Sequence, residues 1–470
     1  MKNTVAIGTT TPRYNPVPPY HPDAHYPELS FSQTSTVPNH PYRLLRDLFQ
    51  RLDYDSEHRG THQWNPLGWL VQSGQAVLLK PNFVISFNAS GNDLFAVVTH
   101  PSILRALIDY VFIALKGTGR IIIADAPQMD CDWAQLMAAQ QLEAIRDFYR
   151  SQFNFNIECH DLRRFAVIDS SQPAYSQNRR PLPGDPQGST LINLGRASAF
   201  YGLPSHNYYG ADYDRQETIR HHHDEVHEYE VSKTALTADV IISVPKMKVH
   251  KKVGVTLNLK GFVGLITNKN HLIHYRLGSP REGGDQLPDT VAPADRRLIK
   301  VQRWLFDHAL AKQTRLGDIV YRIARTGYRC LIRPFRRPDP SGAVLDGGDW
   351  YGNDSAWRMT ADLAKIIFFA DAEGKLHTTP QRRFLCVVDG ITGGENCGPL
   401  ASDPKPGGCL VVGENPLAVD VVTTRVMGFD PAKLRQFDIL HSPHEIEVRG
   451  EADKKLNYKP HPGWVGHIEA

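Results

Sequence analysis

The stretch "ADVIISVPKMKVHKKVGVTLNLKG" (residues 238–261) sets an apolar run directly against five lysines and a histidine. The run Val240–Val244 has the length of a strand and shows no alternation of polar and apolar residues. That pattern belongs to a strand covered on both faces, as in a parallel sheet. The segment after it cannot be buried so simply. Taking an unpaired ammonium out of water is costly, so a face of lysines must meet solvent, carboxylates or a ligand anion. If "KMKVH" stays extended, period two puts Lys246, Lys248 and His250 on one face and Met247 and Val249 on the other. Carried through "VGVTLNLK", the same period sets Gly254, Thr256, Asn258 and Lys260 against Val253, Val255, Leu257 and Leu259. Two readings stay open: a charged edge strand that resists aggregation, and a site for a phosphate or carboxylate anion. Lysines that alternate with apolar residues, instead of forming a run, favour the second.

The same grammar recurs on both sides. "QAVLLK" (75–80), "RIIIADAP" (120–127), "RRFLCVVDG" (382–390) and "GGCLVVGEN" (407–415) read as strands. "THPSILRALIDYVFIALKG" (99–117) reads as a helix with Thr99 as its cap, Pro101 in the first turn and Gly117 at its end. "NPLAVDVVTTRVMG" (415–428) reads as another, capped by Asn415 and opened by Pro416. Strand, helix and strand in sequence imply parallel pairing through a crossover. The expected fold class is therefore α/β: a mostly parallel, Rossmann-like sheet with flanking helices and inserted segments. The expected organisation is an extended arm over 1–40 and a first core part over 41–275, interrupted at about 128–235. A helical and loop insertion over 276–350, a second core part over 351–440 and a tail over 441–470 follow. The 276–350 segment carries a basic, proline-bearing stretch, "RCLIRPFRRPDPSG".

Each apolar strand ends in something polar. The ends hold Lys80 and Asn82, then Asp125, then Lys246, Lys248 and His250, then Asp389, then Glu414 and Asn415. In open parallel sheets ligands bind outside the carboxyl ends of the strands, so these ends on one edge would form one crevice. His250 is the expected proton-transfer residue, with Lys246, Lys248 and Asp389 as its catalytic partners. Lys80, Asn82, Asp125, Asn258, Lys260, Lys269, His271, Glu414 and Asn415 are expected to bind substrate, and "GLITNKNHLIH" adds His274. The glycine-rich loops at 389–399 and 405–416 can present backbone N–H groups to an anion, although neither is a Walker A or dinucleotide fingerprint. "GGDWYGNDSAWRMTADL" (347–363) offers Arg358 as a clamp beside two tryptophans. In "HHHDEVH" (221–227), His223 and His227 share one face if the segment is helical, beside Asp224 and Glu225. That suits a divalent metal; a solvated loop is the competing reading.

Composition narrows the function further. Lys and Arg number 53 against 50 Asp and Glu, a net charge of +3 that gives no reason to expect a nucleic-acid partner. No apolar run approaches a membrane span, and the proline-rich start does not build a signal-peptide core. The expectation is a cytoplasmic protein. Six cysteines are scattered without a C-x-x-C pair, which argues against an iron–sulfur cluster, a zinc ribbon and a disulfide framework. The cofactor is left undetermined, with a divalent metal as the candidate. The expected partner is a small anionic molecule, and a homo-oligomer is left open.

Six ordered blocks carry a resemblance: "VLLKPNFV", "THPSILRALIDYV", "IIIADAP", "ADVIISVPKMKVHKKVGVTLNLKGFVG", "VVDGITGGENCGP" and "GENPLAVDVVTTRVMG". Together they resemble the domain of unknown function 362 family over roughly residues 70–435. "WYGNDSAWRM" is similar to a block of a longer branch of that family. The resemblance implies no reaction. It singles out Lys80-Pro81-Asn82, Lys246, Lys248, His250, Asp389 and Asp420 as matching the family's most recognisable positions. Some members carry ferredoxin-like cysteine clusters, and this sequence lacks those cysteines. A fainter, fold-level likeness to the lactate-racemase catalytic domain carries little functional weight. The sequence thus points to an enzyme of proton-transfer or group-transfer type acting on a small anion, with a non-catalytic ligand- or metal-binding protein as the alternative.

Overall fold

Val240–Val244 lies near the middle of the main sheet, hydrogen-bonded to a parallel neighbour on each side. The computed structural model describes residues 1–169, 178–210, 214–305, 319–320, 323, 326–327, 347–438 and 445–470. The stretch "RCLIRPFRRPDPSG" lies outside the described residues. The main sheet has ten strands: β1 (Thr4–Thr9), β2 (Ala76–Pro81), β3 (Arg120–Asp125), β4 (Ile157–Asp161), β5 (Val240–Val244), β6 (Lys246–His250), β7 (Gly254–Val255), β8 (Arg383–Glu395), β9 (Asp403–Gly413) and β10 (Glu447–Gly450). Their order is β10-β1-β9-β8-β5-β2-β3-β4, with β6 alongside the far half of β8 and β7 folded back on β6. From β8 to β4 every pair is parallel. β9 runs antiparallel to β8, and β1 antiparallel to β9. The α/β class and the mostly parallel sheet agree with the sequence reading.

Side chains alternate between two cores, as strand geometry requires. Leu78, Ile122, Ile241, Val388 and Val411 face one layer, covered by α4 (Leu257–Gly261), α5 (Ala356–Phe369) and α6 (Pro416–Met427). Leu79, Ile123, Ile242, Val387 and Val412 face the other, covered by α1 (His40–Arg51), α2 (Pro101–Leu115) and α3 (Leu142–Phe153). Among the described residues no helix is long and apolar enough to cross a membrane.

Several boundaries differ from the sequence reading. The arm over 1–40 begins with a strand of the main sheet, because Thr4–Thr9 fills the gap between β9 and β10. The interruption at 128–235 is shorter than expected, since α3 and β4 belong to the core; the true excursion holds a small sheet of Ser189–Asn193, Val226–Ser232 and His222–His223. α2 is capped by His100, whose ring accepts from the Ser102 N–H. Thr99 is committed elsewhere: it donates to the Val244 carbonyl (2.6 Å) and accepts from the Asn82 N–H (2.8 Å), tying the end of β2 to the end of β5.

α2 is buried almost all round, and its two charges are buried with it. Arg105 donates to Asp109 at 2.8 Å, and neither side chain reaches solvent. Asp109 also accepts from Tyr42 of α1 and Tyr149 of α3. Arg105 donates to the Pro19 carbonyl and lies 4.2 Å over the Phe148 ring. Three helices and the arm meet at this one pair. Asp109→Ala leaves the guanidinium buried without its carboxylate, so it should lower the unfolding free energy by about 3–5 kcal/mol in urea denaturation. A loss below about 1 kcal/mol, the worth of an exposed pair, would show that the pair does not hold the layer.

Candidate functional site

The carboxyl ends of β2, β3 and β6 open on a cavity of about 410 Å³. Lys80 closes β2 and donates to Asp125, the last residue of β3, at 3.0 Å, and to the Pro81 carbonyl at 2.6 Å. Asp125 also accepts from the Phe83 N–H at 2.7 Å. Gly264 presses against this pair: a Cβ there would fall on the Asp125 carboxylate and lie 2.6 Å from Lys80 Nζ. Lys248, on β6, donates to the Val97 and Pro399 carbonyls at 2.7 and 3.1 Å. His250 ends β6, and its Nδ1 accepts from the Lys252 N–H at 3.0 Å.

Past β7 the chain does not stay extended, contrary to the period-two reading of "VGVTLNLK". Gly254 has a φ of +81°, Leu257 one of +44°, and Leu257–Gly261 forms the short helix α4. Asp420 of α6 stabilises that turn. Its carboxylate accepts from the N–H groups of Asn258 and Leu259, both at 2.9 Å, and from the Asn258 side chain at 2.7 Å. These are first-turn N–H groups with no partner inside the helix. Asn258 is therefore spent on Asp420, while Lys260, two residues on, lines the cavity. Burial pushes the Asp420 carboxyl up to about 7.

The cavity is strongly cationic. Six lysines and Arg303 line it against three aspartates, Asp125, Asp130 and Asp349. Asp349 is pinned by Lys252 at 2.7 Å and Lys251 at 3.0 Å; burial opposes its charge, yet the two ammonium groups hold its carboxyl below the usual range. Burial is the leading effect on the lysines. It drives Lys248 well below the ordinary ammonium range, with Lys246 and Lys260 adding repulsion. Lys260 is pushed down to about 7 by burial and then by Lys252. Lys269 falls to about 7 by burial, Asp125 opposing and Lys80 assisting, while its Nζ donates to the Val263 carbonyl at 2.9 Å. His250 and His274 are both held well below the usual imidazole range by burial and by Lys260 and Lys252, hence neutral.

Lys246 and Asp389 lie outside the cavity walls. The alternation on β6 holds, with Met247 and Val249 both packed in one core. Its pairing with β8 nevertheless jumps in register between Lys246 and Lys248, so Lys246 meets Asp389 while Lys248 lines the cavity. Lys246 donates to Asp389 at 2.6 Å, to the Tyr14 hydroxyl at 2.9 Å and to the Thr392 carbonyl at 3.1 Å. Asp389 takes the Tyr14 hydroxyl at 2.7 Å and the His100 N–H at 3.1 Å, and Tyr14 stacks flat on His100 with ring centres 3.9 Å apart. This is a closed, satisfied network, sealed by the N-terminal arm.

Of the residues singled out from sequence, Lys80, Asn82, Asp125, Lys248, His250, Lys260, Lys269 and His274 come together. Others do not. Glu414 and Asn415 sit at the opposite edge of the sheet, because β9 runs antiparallel to β8; there Glu414 accepts from the Lys2 N–H and Asn415 caps α6. His271 packs on His221 at 4.0 Å within the excursion. Arg358 is neutralised by Asp354 and donates to the Ala199 carbonyl. His222–His223 and Val226–His227 form an antiparallel hairpin, so the helical premise that put His223 and His227 on one face fails. Among the described residues no cluster of three or more His, Cys, Asp or Glu could hold a metal ion. The cavity also has walls that the sequence reading did not assign: Lys251, Lys252, Thr256, Tyr275 and Asp349. Lys251 and Lys252 stand in the opening stretch, so the signal was present; Asp349 lies in the quoted stretch 347–363, where Arg358 was singled out instead.

Gly264 allows a direct check of how tightly the cavity is built. Gly264→Ala should cost about 1–3 kcal/mol, the usual effect of overpacking, whereas Gly261→Ala, with nothing within 4 Å of the new methyl, should be neutral. Equal thermal unfolding of the two variants would mean that Lys80 and Asp125 are free to move aside.

The family profile described as "Domain of unknown function (DUF362)" matches residues 77–163 and 167–425. No curated protein and no solved structure matches the chain. The matched span runs from β2 through most of α6 and so contains every residue that lines the cavity. The chain belongs to the DUF362 family.

Proposed function

We propose that the protein is an enzyme that binds a small, multiply charged anion, bearing phosphate or carboxylate groups, and moves a proton on it. The observation that carries this reading is the surplus of ammonium groups over carboxylates in one buried cavity. Desolvated cations of like sign repel, and an anion in their midst restores the charge that burial removes. Lys80, Lys248 and Lys269 hold the anion, and Asp125 orients Lys80.

The two histidines support proton transfer. Nδ1 of His250 accepts an N–H, so its proton sits on Nε2 and that atom is a donor. Nδ1 of His274 faces the Leu272 carbonyl at 3.0 Å and must donate, which leaves the lone pair on Nε2. One cavity thus holds a neutral imidazole donor and a neutral imidazole base, the pairing that general acid–base chemistry near neutral pH uses. A protein that only carries its ligand needs no such pairing; that alternative is favoured by the sealing of Lys246 and Asp389 away from the cavity.

Anion binding should depend on pH with a definite sign. Lys260 and Lys269 carry charge below about 7 and lose it above, so affinity falls as pH rises through that value. For methanedisulfonate, whose own charge is constant, calorimetry should give at least about tenfold weaker binding at pH 8.5 than at pH 6. The ligand-free protein should behave in the opposite way. Lysines with depressed values contribute stability that is complete above the unfolded value of about 10.4 and is lost as pH falls through about 7. Its thermal midpoint should therefore climb from pH 7 to 9. Binding that ignores pH, or no binding, would remove the anion site. Deuterium uptake from heavy water into a panel of 2-hydroxy and phosphorylated acids, lost in His274→Gln with methanedisulfonate binding retained, separates an enzyme from a carrier.

A further inference from the structure

Five of the six cavity lysines are already engaged. Lys80 is on Asp125, Lys251 and Lys252 on Asp349, and Lys248 and Lys269 on backbone carbonyls. Lys260 differs. Among the described residues its Nζ makes no hydrogen bond and no ion pair, although only 6% of the residue is exposed. A buried ammonium without a partner is unfavourable, and the amine is the form that such a position prefers. Burial and the Lys252 ammonium push it down to about 7, so a large share is neutral at physiological pH. A neutral, unbonded primary amine is a nucleophile toward carbonyl carbon. Around it stand the hydroxyl of Thr256, buried and without a partner, and the rings of His250 and His274.

We infer that Lys260 forms a covalent imine with an aldehyde or ketone that carries a carboxylate or phosphate group. The inference rests on the anion-binding reading of this cavity and goes beyond it by naming the reacting bond. The Nζ lone pair adds to the carbonyl carbon while the Thr256 hydroxyl and His250 Nε2–H hydrogen-bond the carbonyl oxygen. His274 Nε2 carries one Nζ proton to that oxygen, giving the carbinolamine. The C–O bond then breaks, the second Nζ proton leaves with the oxygen as water, and C=N forms. One water is released per imine, and no oxidant or reductant is needed.

The test is reductive trapping on the full chain. The protein is incubated at pH 7.5 with sodium cyanoborohydride and either pyruvate or pyridoxal 5′-phosphate, and its lysines are mapped by peptide mass spectrometry. Lys260 should be labelled at least about tenfold faster than any surface lysine, by one probe or both. Excess methanedisulfonate should suppress the label, and Lys260→Arg should abolish it while still binding methanedisulfonate. The probe that reacts tells a carboxylate ligand from a phosphate one. Label spread over exposed lysines with no preference for Lys260 overturns the imine. Wild-type mapping alone decides this if Lys260→Arg does not fold. Methanedisulfonate binding without an adduct sinks the imine and leaves the anion site standing, whereas failure of that binding sinks the anion site itself.

Discussion

Ammonium groups resist leaving water, and the polar edge of this sheet is organised around that resistance. β5 feeds three lysines, Lys246, Lys248 and Lys252, and His250 into protein interior within eight residues of its end. The edge resolves the conflict in two ways. Where a carboxylate is at hand, as for Lys246 with Asp389 or Lys80 with Asp125, an ion pair forms and its remaining valences are filled by hydroxyls and backbone. Where none is at hand, burial holds the lysine below the ordinary ammonium range, and it rests on carbonyl oxygens, as Lys248 does, or stands without a partner among the described residues, as Lys260 does. Both outcomes stand side by side within a few residues of one strand.

That division shapes the chemistry. A fully paired network such as Lys246, Asp389 and Tyr14 rigidifies its surroundings and offers little to a ligand. The cavity beside it is incompletely satisfied, with six lysines against three aspartates. The fold makes this tolerable through its layers: α4, carrying Lys260, is fixed by Asp420 of α6, and the end of β2 is fixed to the end of β5 through Thr99.

The parallel core could be read from sequence because each central strand is apolar without alternation and each helix carries its own start and stop residues. The cationic end of β6 could be read because lysines in a buried context demand an explanation. What could not be read came from direction and from local irregularity. "CLVVGEN" looks like "CVVDG", yet β9 runs the other way, and nothing in a five-residue apolar run encodes strand polarity; Glu414 was carried to the wrong edge by that symmetry. Past β7 the left-handed Leu257 broke a period-two pattern that the residues themselves continue. The hairpin at His222–His227 likewise defeated a helical spacing, because β pairing with Ser189–Asn193 decided the local conformation.

The place of β1 bears on how the chain reaches its native state. Among the described residues, 4–9 pair only with β9 and β10, some four hundred positions away in sequence. A ribosome must therefore pass residue 413 before residues 4–9 can dock. Until then Val5 and Ile7 lack their strand partner, and the loop to be closed runs from Thr9 to Cys409, which makes this a slow kind of contact to form. The segment that carries Tyr14 onto Asp389 follows directly behind that strand. Sealing of the Lys246 network therefore waits on late synthesis, and nascent chains expose a sticky amino-terminal strand of the kind that chaperones shield.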